Sequence, residues 1–427
     1  MQETMQNMQP TKLKSLKLEQ WRQFENIELE FSDRVTIITG KNGSGKTSIG
    51  SVLAKTFSLE WPLKFVSSPE LNQDGGVIYK TSANSSVEEI SNSRSYIGEL
   101  AYIGGFTRRI TTDIKVDGEY SILIEHASPI HGLYVPAHRP QFRYMKIGTT
   151  RLGLQLPEGI YANYQNSYRA EYIPTNTPKV PSNSIIKETL LSWAIFGYGN
   201  KVMRPNVQLS ELYEGFEAVL RHLLPEHLRF EKLEIRSPEV VLKTEFGEFS
   251  LDAVSGGIGS TIELGWQIFI NRFFDKVSVV VIDEPENHLH PEMQQQLLPK
   301  LLQAFPEIQF VIATHSPLIV TSIEGARIYV LDFGFNGRVR SKLVDSSNAG
   351  TVNETLRDIL GLPFTMPIWA AAKIQAIVDR RSTEGFSEEI FESLRNELVE
   401  VGLEEYAPTA ISDLLEEFHK SRSSGDK

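Results

Sequence analysis

Eight residues constrain this chain more than any others: Gly40-Lys41-Asn42-Gly43-Ser44-Gly45-Lys46-Thr47. They follow the short apolar run Val35–Thr39 and lead into Ser48-Ile-Gly-Ser-Val-Leu-Ala-Lys-Thr-Phe57, a stretch of helical character. Strand, glycine-rich turn and helix, in that order, match G-x-x-x-x-G-K-[ST] in full and in the context the motif requires. The glycines let the backbone wrap an anion, and the loop N–H groups with the helix N-terminus supply positive potential. Lys46 is therefore expected to reach the β- and γ-phosphates of a nucleotide, and Thr47 to give its hydroxyl to Mg²⁺.

A second apolar run, Val279-Val-Val-Ile282, ends in Asp283-Glu284-Pro285. Charge at the end of a buried strand is costly without a partner. Beside a P-loop the partner is a metal, so Asp283 is expected in the Mg²⁺ shell with Thr47. Glu284 is expected to take a proton from the attacking water as general base. A third run, Gln309–Ala313, delivers Thr314-His315-Ser316, and His315 is placed to hydrogen-bond the γ-phosphate and sense its loss. His288 and His290 stand at i, i+2 with no cysteine in the chain, and read as a contact between copies rather than a metal site.

Length and composition limit the alternatives. The chain has 427 residues, enough for about two to three domains. The absence of cysteine excludes disulfides and thiolate metal sites. No apolar run approaches the ~18 residues of a membrane span, and the first residues lack the apolar core of a secretory signal. A cytoplasmic protein without a membrane segment is expected. The net charge of −11 is uneven: residues 344–427 hold 16 acidic and 8 basic residues, so the body is near neutral and the acidic tail reads as a solvated helical face.

Periodicity gives the rest of the outline. Residues 13–38 read as two strands and a return, Arg109–Ile124 as a hairpin around Asp117-Gly118, and Gly132–Pro136 as a strand. Residues 140–183, rich in Tyr, Pro, Asn and Thr, read as a long loop. Helices are expected at Ile185–Phe196 and Leu209–Leu224, and strands at Phe230–Ile235 and Val240–Leu251. From Ile262 follow a helix, a strand (Val277–Ile282), a helix (Met293–Ala304), and strands at Gln309–Ala313 and Arg327–Asp332 with a turn at Asn336-Gly337, the alternation of a parallel α/β sheet. The last stretch is helical, with Phe386, Ile390, Leu394, Leu398 and Val401 on one face.

Trp21-Arg-Gln-Phe24, the P-loop, Val254-Ser255-Gly256-Gly257-Ile258, the DEPENHLHP segment and the ATHSP segment together resemble ABC-type ATPases of the SMC/RecF/OLD class, AAA-family ATPases of the kind found in bacterial anti-phage defence. The resemblance covers about residues 11–70 and 130–335. It implies an α/β P-loop NTPase of ABC-ATPase head type with a β-rich subdomain, an inserted helical lobe and a C-terminal helical extension. The head would span 11–343, with a nucleotide-binding core at 11–135 and 251–343, a lobe at 136–250, and the acidic extension at 344–427.

The same resemblance implies ATP and Mg²⁺ as cofactors, bound by residues 40–48 (Gly40 through Ser48), and two heads packed head to tail across them. Ser255, Gly256 and Gly257 would contact the γ-phosphate held by Lys46 of the other copy, from a helix starting near Gly259. Asn287 would cross the dimer. Gln141, with Arg139 as a rival, would form the loop that touches Mg²⁺ and the attacking water. The signature lacks the usual Gln or Glu after its glycines, which implies slow turnover. The 112 residues after His315 show no Glu plus Asp-x-Asp pattern, so the Toprim nuclease domain of OLD proteins is not expected. The implied role is a homodimeric or larger sensor or regulator acting with a separate effector, a nuclease. The alternative is a RecF-like repair ATPase touching nucleic acid directly through Arg108, Arg109, Arg139, Arg143, Lys146 and Arg151. A transporter subunit fits the WRQF and HLHP segments less well.

Overall fold

The computed structural model describes residues 12–57, 65–66, 68–71, 77–80, 95–114, 119–125, 130–145, 157–172, 180–274, 276–344, 368–382, 388–408, 410–411 and 414. They form two compact units, residues 1–355 and 356–427.

The first unit is built on one twelve-stranded sheet. Its strands are β1 (Leu13–Glu19), β2 (Phe24–Glu30), β3 (Val35–Gly40), β4 (Phe65–Val66), β7 (Ser95–Tyr102), β8 (Thr107–Ile114), β9 (Glu119–Ile124), β10 (Gly132–Val135), β14 (Val279–Asp283), β15 (Gln309–Ala313), β16 (Arg327–Phe333) and β17 (Val339–Val344). A small ribbon holds β5 (Ser68–Leu71) and β6 (Val77–Lys80), and a separate three-stranded sheet holds β11 (Phe230–Arg236), β12 (Glu239–Thr244) and β13 (Gly247–Ser250). The order of the large sheet is β10-β14-β15-β3-β16-β17-β2-β1-β7-β8-β9-β4. β10, β14, β15, β3 and β16 run parallel, and β2, β1, β7, β8, β9 and β4 form an antiparallel meander beyond them.

Burial explains this division. Every residue of β3, β14 and β15 is buried, as expected of parallel strands covered on both faces. β1 and β2 instead alternate, burying Leu13, Leu16 and Leu18 and then Phe24, Ile27 and Leu29. The buried Gln309 side chain joins the two regions: its Oε1 accepts from Leu13 N at 2.9 Å and its Nε2 donates to Leu13 O at 2.9 Å and Ser32 O at 2.8 Å.

Helices α1 (Lys46–Ala54), α2 (Pro157–Tyr172), α3 (Ser182–Tyr198), α4 (Val207–Leu223), α5 (Gly256–Phe274), α6 (Pro291–Ala304) and the one-turn α7 (Pro317–Val320) complete the unit. Helix α2 lies within 140–183, where the composition suggests only a loop. Its Tyr161, Tyr164 and Tyr168 recur at helical spacing, and they pack on polar positions of α5: Tyr164 donates to buried Glu263 at 2.7 Å, and Gln165 to buried Asn271 at 3.2 Å. Helix α5 begins six residues earlier than Ile262, the expected start, because the glycines of the signature fit its first turn. The strand expected over Val240–Leu251 is two, β12 and β13, joined by a turn that Gly247 and the bond from Thr244 Oγ1 to Gly247 O (2.8 Å) make possible. The strand expected at Val277 starts at Val279. Among the described residues no helix is long and apolar enough to cross a membrane.

The second unit contains α8 (Ile368–Ser382) and α9 (Glu388–Glu400), whose Ile374, Ile377, Val378, Ile390, Leu394 and Leu398 share one buried core with Leu403 and Leu414. Val401 departs from the expected face. The helix has already ended there: Gly402 takes the left-handed conformation, φ 74°, and Leu403 N–H bonds back to Leu398 O at 2.8 Å, leaving Val401 exposed. Phe386 and the turn Asp117-Gly118 lie outside the described residues.

Candidate active site

The loop from Gly40 to Ser48 joins β3 to α1 at one end of the parallel strands. Its shape depends on glycine at two points. Gly40 (φ 143°) would bring a Cβ to 2.4 Å from Leu331 O, and Gly45 (φ 101°) would bring one to 2.4 Å from both Gln23 Nε2 and the Phe24 ring. This explains the WRQF opening: Trp21 is fully buried against Phe24 and Phe65, and Phe24 wedges beneath the P-loop. Lys41, Asn42, Gly43 and Thr47 are exposed, whereas Ser44 and Lys46 are buried. Lys46 Nζ donates to two carbonyls of its own loop, Gly40 O at 2.8 Å and Lys41 O at 3.3 Å. Burial lowers its pKa, while the nearby Glu284, Asp283 and Glu286 carboxylates act to raise it.

β14 brings Asp283 to this loop, and β15, which lies between β14 and β3, brings His315. Asp283 is 1% exposed, and neither carboxylate oxygen has a hydrogen bond of full geometry. Burial pushes its pKa up to about 6; the Thr47 hydroxyl and Lys46 pull the other way, and Glu284 and Glu286 add to the rise. Glu284 has a left-handed backbone, φ 45°, which a non-glycine residue adopts only when its surroundings hold it there. Its N–H bonds to Ala313 O at 2.8 Å, and its Oε2 accepts from Asn287 Nδ2 at 3.1 Å. His315 Nδ1 lies 3.6 Å from Glu284 Oε1 and 3.3 Å from Glu286 Oε1.

Two residues prove more important than their sequence signal suggests. Glu286, 6% exposed, accepts on Oε1 from Thr314 Oγ1 (2.7 Å), His315 N (3.0 Å) and Ser316 N (3.1 Å), so one carboxylate fastens the segment after β15 to the segment after β14. Arg139 is buried beneath the Glu284 turn, and its Nη2 donates to the carbonyls of Glu284 (3.1 Å), Pro285 (3.0 Å) and Asn287 (3.4 Å). Asn287 Nδ2 also donates to Ala137 O at 3.0 Å. Arg139 is thus a positioning residue for the acidic turn, while Gln141, two residues on, is exposed. Glu286 stands in the segment Glu286–His290, which the sequence suggests as a contact between copies; its carboxylate instead bonds within the chain to the segment after β15.

Ser255 and Gly256 are exposed at the start of α5, with Gly257 beside His288 O, 2.9 Å from the position a Cβ would take. Ser255 O accepts from Gly259 N at 2.8 Å, and Gly257 O from Thr261 Oγ1 at 2.9 Å, so their hydrogen bonds run within their own helix. A buried network holds the turn before them. Lys187, 0% exposed, donates to Asp252 Oδ2 at 2.9 Å and pairs with Glu239, and Asp252 also accepts from Met145 N at 3.1 Å and Ser250 Oγ at 2.6 Å.

Among the described residues the candidate nucleic-acid contacts Arg108, Arg109 and Arg139 share no face, and Arg143 is exposed with its carbonyl accepting from Asn183 Nδ2 at 2.9 Å. Arg108 and Arg109 are successive residues of β8 and point to opposite faces, each over an aromatic ring. Arg139 is buried in the acidic turn, and Lys146 and Arg151 lie outside the described residues.

Residues present suit a nucleotide and Mg²⁺: a buried carboxylate without a partner, a neighbouring hydroxyl, and a lysine folded onto its own loop. Among the described residues no cluster of three or more His, Cys, Asp or Glu could hold a metal ion. Fold and site together define an α/β core with a P-loop nucleotide-binding site, and two AAA-domain families match parts of it. The family described as "AAA domain, putative AbiEii toxin, Type IV TA system" matches residues 268–321, and a second AAA-domain family matches residues 15–53. The chain is 44% identical to the Retron Vc95 probable ATPase of Vibrio cholerae serotype O1 biovar El Tor over 54 residues, 13% of this chain and 10% of that protein. It is 28% identical to the Septu protein PtuA of Bacillus mycoides (strain KBAB4) over 204 residues, 42% of this chain and 28% of that one. The chain thus spans less than half the length of the curated relatives it matches. The SMC head domain from Thermotoga maritima aligns over 78% of this chain and 100% of its own, at 15% identity and a TM-score of 0.41.

Proposed function

We propose that this chain binds ATP with Mg²⁺, closes head to tail with a second copy around the nucleotide, hydrolyses it slowly, and so regulates a separate effector, a nuclease, in an anti-phage defence system. The observation that carries the reading is Asp283, a buried carboxylate without a hydrogen-bonding partner of full geometry, facing the lysine and hydroxyl of a complete P-loop. Such a group is retained at a cost unless a cation joins it.

In this reading Thr47 and Asp283 hold Mg²⁺, which spreads the charge of the β- and γ-phosphates when bound. Lys46 exchanges its two loop carbonyls for phosphate oxygens. Glu284, held by Asn287 and by Arg139 beneath its carbonyl, accepts the proton of the attacking water. His315, with its Nδ1 3.3 Å from Glu286 Oε1, hydrogen-bonds the γ-phosphate. Ser255, Gly256 and Gly257 reach the γ-phosphate of the other copy; the exposure of Ser255 and Gly256 at the N-terminus of a 19-residue helix supports this. The matches to retron and Septu proteins support the defence role.

The test is the mass of Glu284→Gln complexes purified from the native host in ATP and Mg²⁺. Two chains, or a multiple, with a second polypeptide is the expected result. A dimer carrying only nucleic acid would favour the DNA-clamping alternative, and a bare monomer would reject assembly around ATP.

A further inference from the structure

Three turns stand side by side at the P-loop end of the sheet. Leu331 of β16 is opposite Gly40, Phe333 is opposite Val339, and Val339 is opposite Phe24. Beyond that row project the P-loop, the β16–β17 turn at residues 334–338 and the turn at residues 20–23. The last two are laced together: Asn336 Nδ2 donates to Glu25 Oε2 at 3.1 Å, Arg338 Nη2 to Arg22 O at 3.3 Å and Phe24 O at 2.5 Å, and Arg340 to both Glu25 oxygens at 2.8 and 2.6 Å. The hairpin tip is also closed on itself, Gly334 N bonding to Arg338 O at 2.7 Å and Arg338 N to Asn336 Oδ1 at 3.1 Å.

This braced tip carries a side chain with nothing over it. Phe335 is fully exposed and Phe333 is 41% exposed, while the aromatic of the neighbouring turn, Trp21, is fully buried. The acidic turn and His315 lie on the other flank of the P-loop, toward β15 and β14. In a nucleoside triphosphate the base and the terminal phosphate are opposite ends of the molecule. With its terminal phosphate directed toward Glu284 and His315, its base extends the opposite way, over β16, β17 and β2. A rigid exposed aromatic there offers a π-face that any base can stack on.

We propose that Phe335, with Phe333 beside it, is the platform on which the base of the bound nucleotide stacks. This rests on the P-loop being the nucleotide site proposed above, and adds where the base lies. The test titrates the full chain with ATP and, separately, with inorganic tripolyphosphate, which has no base. Phe335→Ala is expected to weaken ATP by roughly tenfold or more, the scale of a lost base–aromatic stack, and to leave tripolyphosphate affinity unchanged; Phe335→Trp is expected to retain ATP affinity. Equal ATP affinity in the wild type and Phe335→Ala would overturn the platform alone. Parallel loss of both ligands in Phe335→Ala would also overturn it, because the turn would then be shaping the loop. A wild-type chain that binds neither ligand would overturn the P-loop reading and the platform with it.

Discussion

Single side chains in this site serve two arrangements, and Lys46 is the plainest case. Its ammonium is buried and bonded to the carbonyls of Gly40 and Lys41, so the loop is held shut by the group that would bind phosphate. Lys46→Ala should reduce ATP binding by roughly a hundredfold or more, since a charge-assisted bond to a buried partner contributes about 3 kcal/mol. Isothermal titration would show it, and retained affinity would remove Lys46 from the site. At this scale the sequence was most informative where chemistry restricts residue type. A P-loop admits few alternatives, so residues 40–48, Asp283 and Glu284 could be picked out from the chain alone. The roles Arg139 and Glu286 take are less legible: Arg139, named as a rival to Gln141, bonds the carbonyls of the acidic turn, and Glu286 bonds two backbone N–H groups besides the Thr314 hydroxyl, and backbone groups carry no residue-specific signature.

Among elements, the buried Lys187–Asp252–Glu239 network connects α3, the segment ending at Met145, β12 and the turn that opens the signature. Against burial, which alone would lower it, the hydrogen bonds that Lys187 donates to Glu239 and Asp252 raise its pKa. Against burial, which alone would raise it, bonds from Ser250, Lys187 and Met145 lower that of Asp252. Both side chains are 1% exposed, so Lys187→Met leaves a buried carboxylate unpaired and should cost about 3–5 kcal/mol. Urea unfolding checks this, and the double variant Lys187→Met/Asp252→Asn should recover part of the loss. Helix α2 shows where periodicity misleads: its contacts are tyrosines and a glutamine that meet both polar residues (Glu263, Asn271) and aromatic ones (Trp266, Phe274) of α5, so no aliphatic stripe marks it. The β12–β13 turn was hidden for the opposite reason, because alternation continues through Glu245-Phe246 as it would along one strand.

For the whole molecule, the proposed cycle depends on a face that a single copy cannot use. Ser255→Arg places a long cation at that face, where the side chain is exposed. The variant should keep ATP affinity as a single chain within about twofold, because an exposed substitution away from a packed contact is usually near neutral. It should fail to gain mass when ATP and Mg²⁺ are added, as light scattering would report. Loss of nucleotide affinity in the isolated chain would mean that Ser255 acts within one copy.

The large sheet ends on one side at β10, four residues long, and on the other at β4, two residues long. Stubs of this length offer little unpaired backbone to another chain, and they protect a broad sheet from the edge-to-edge growth that leads to aggregates.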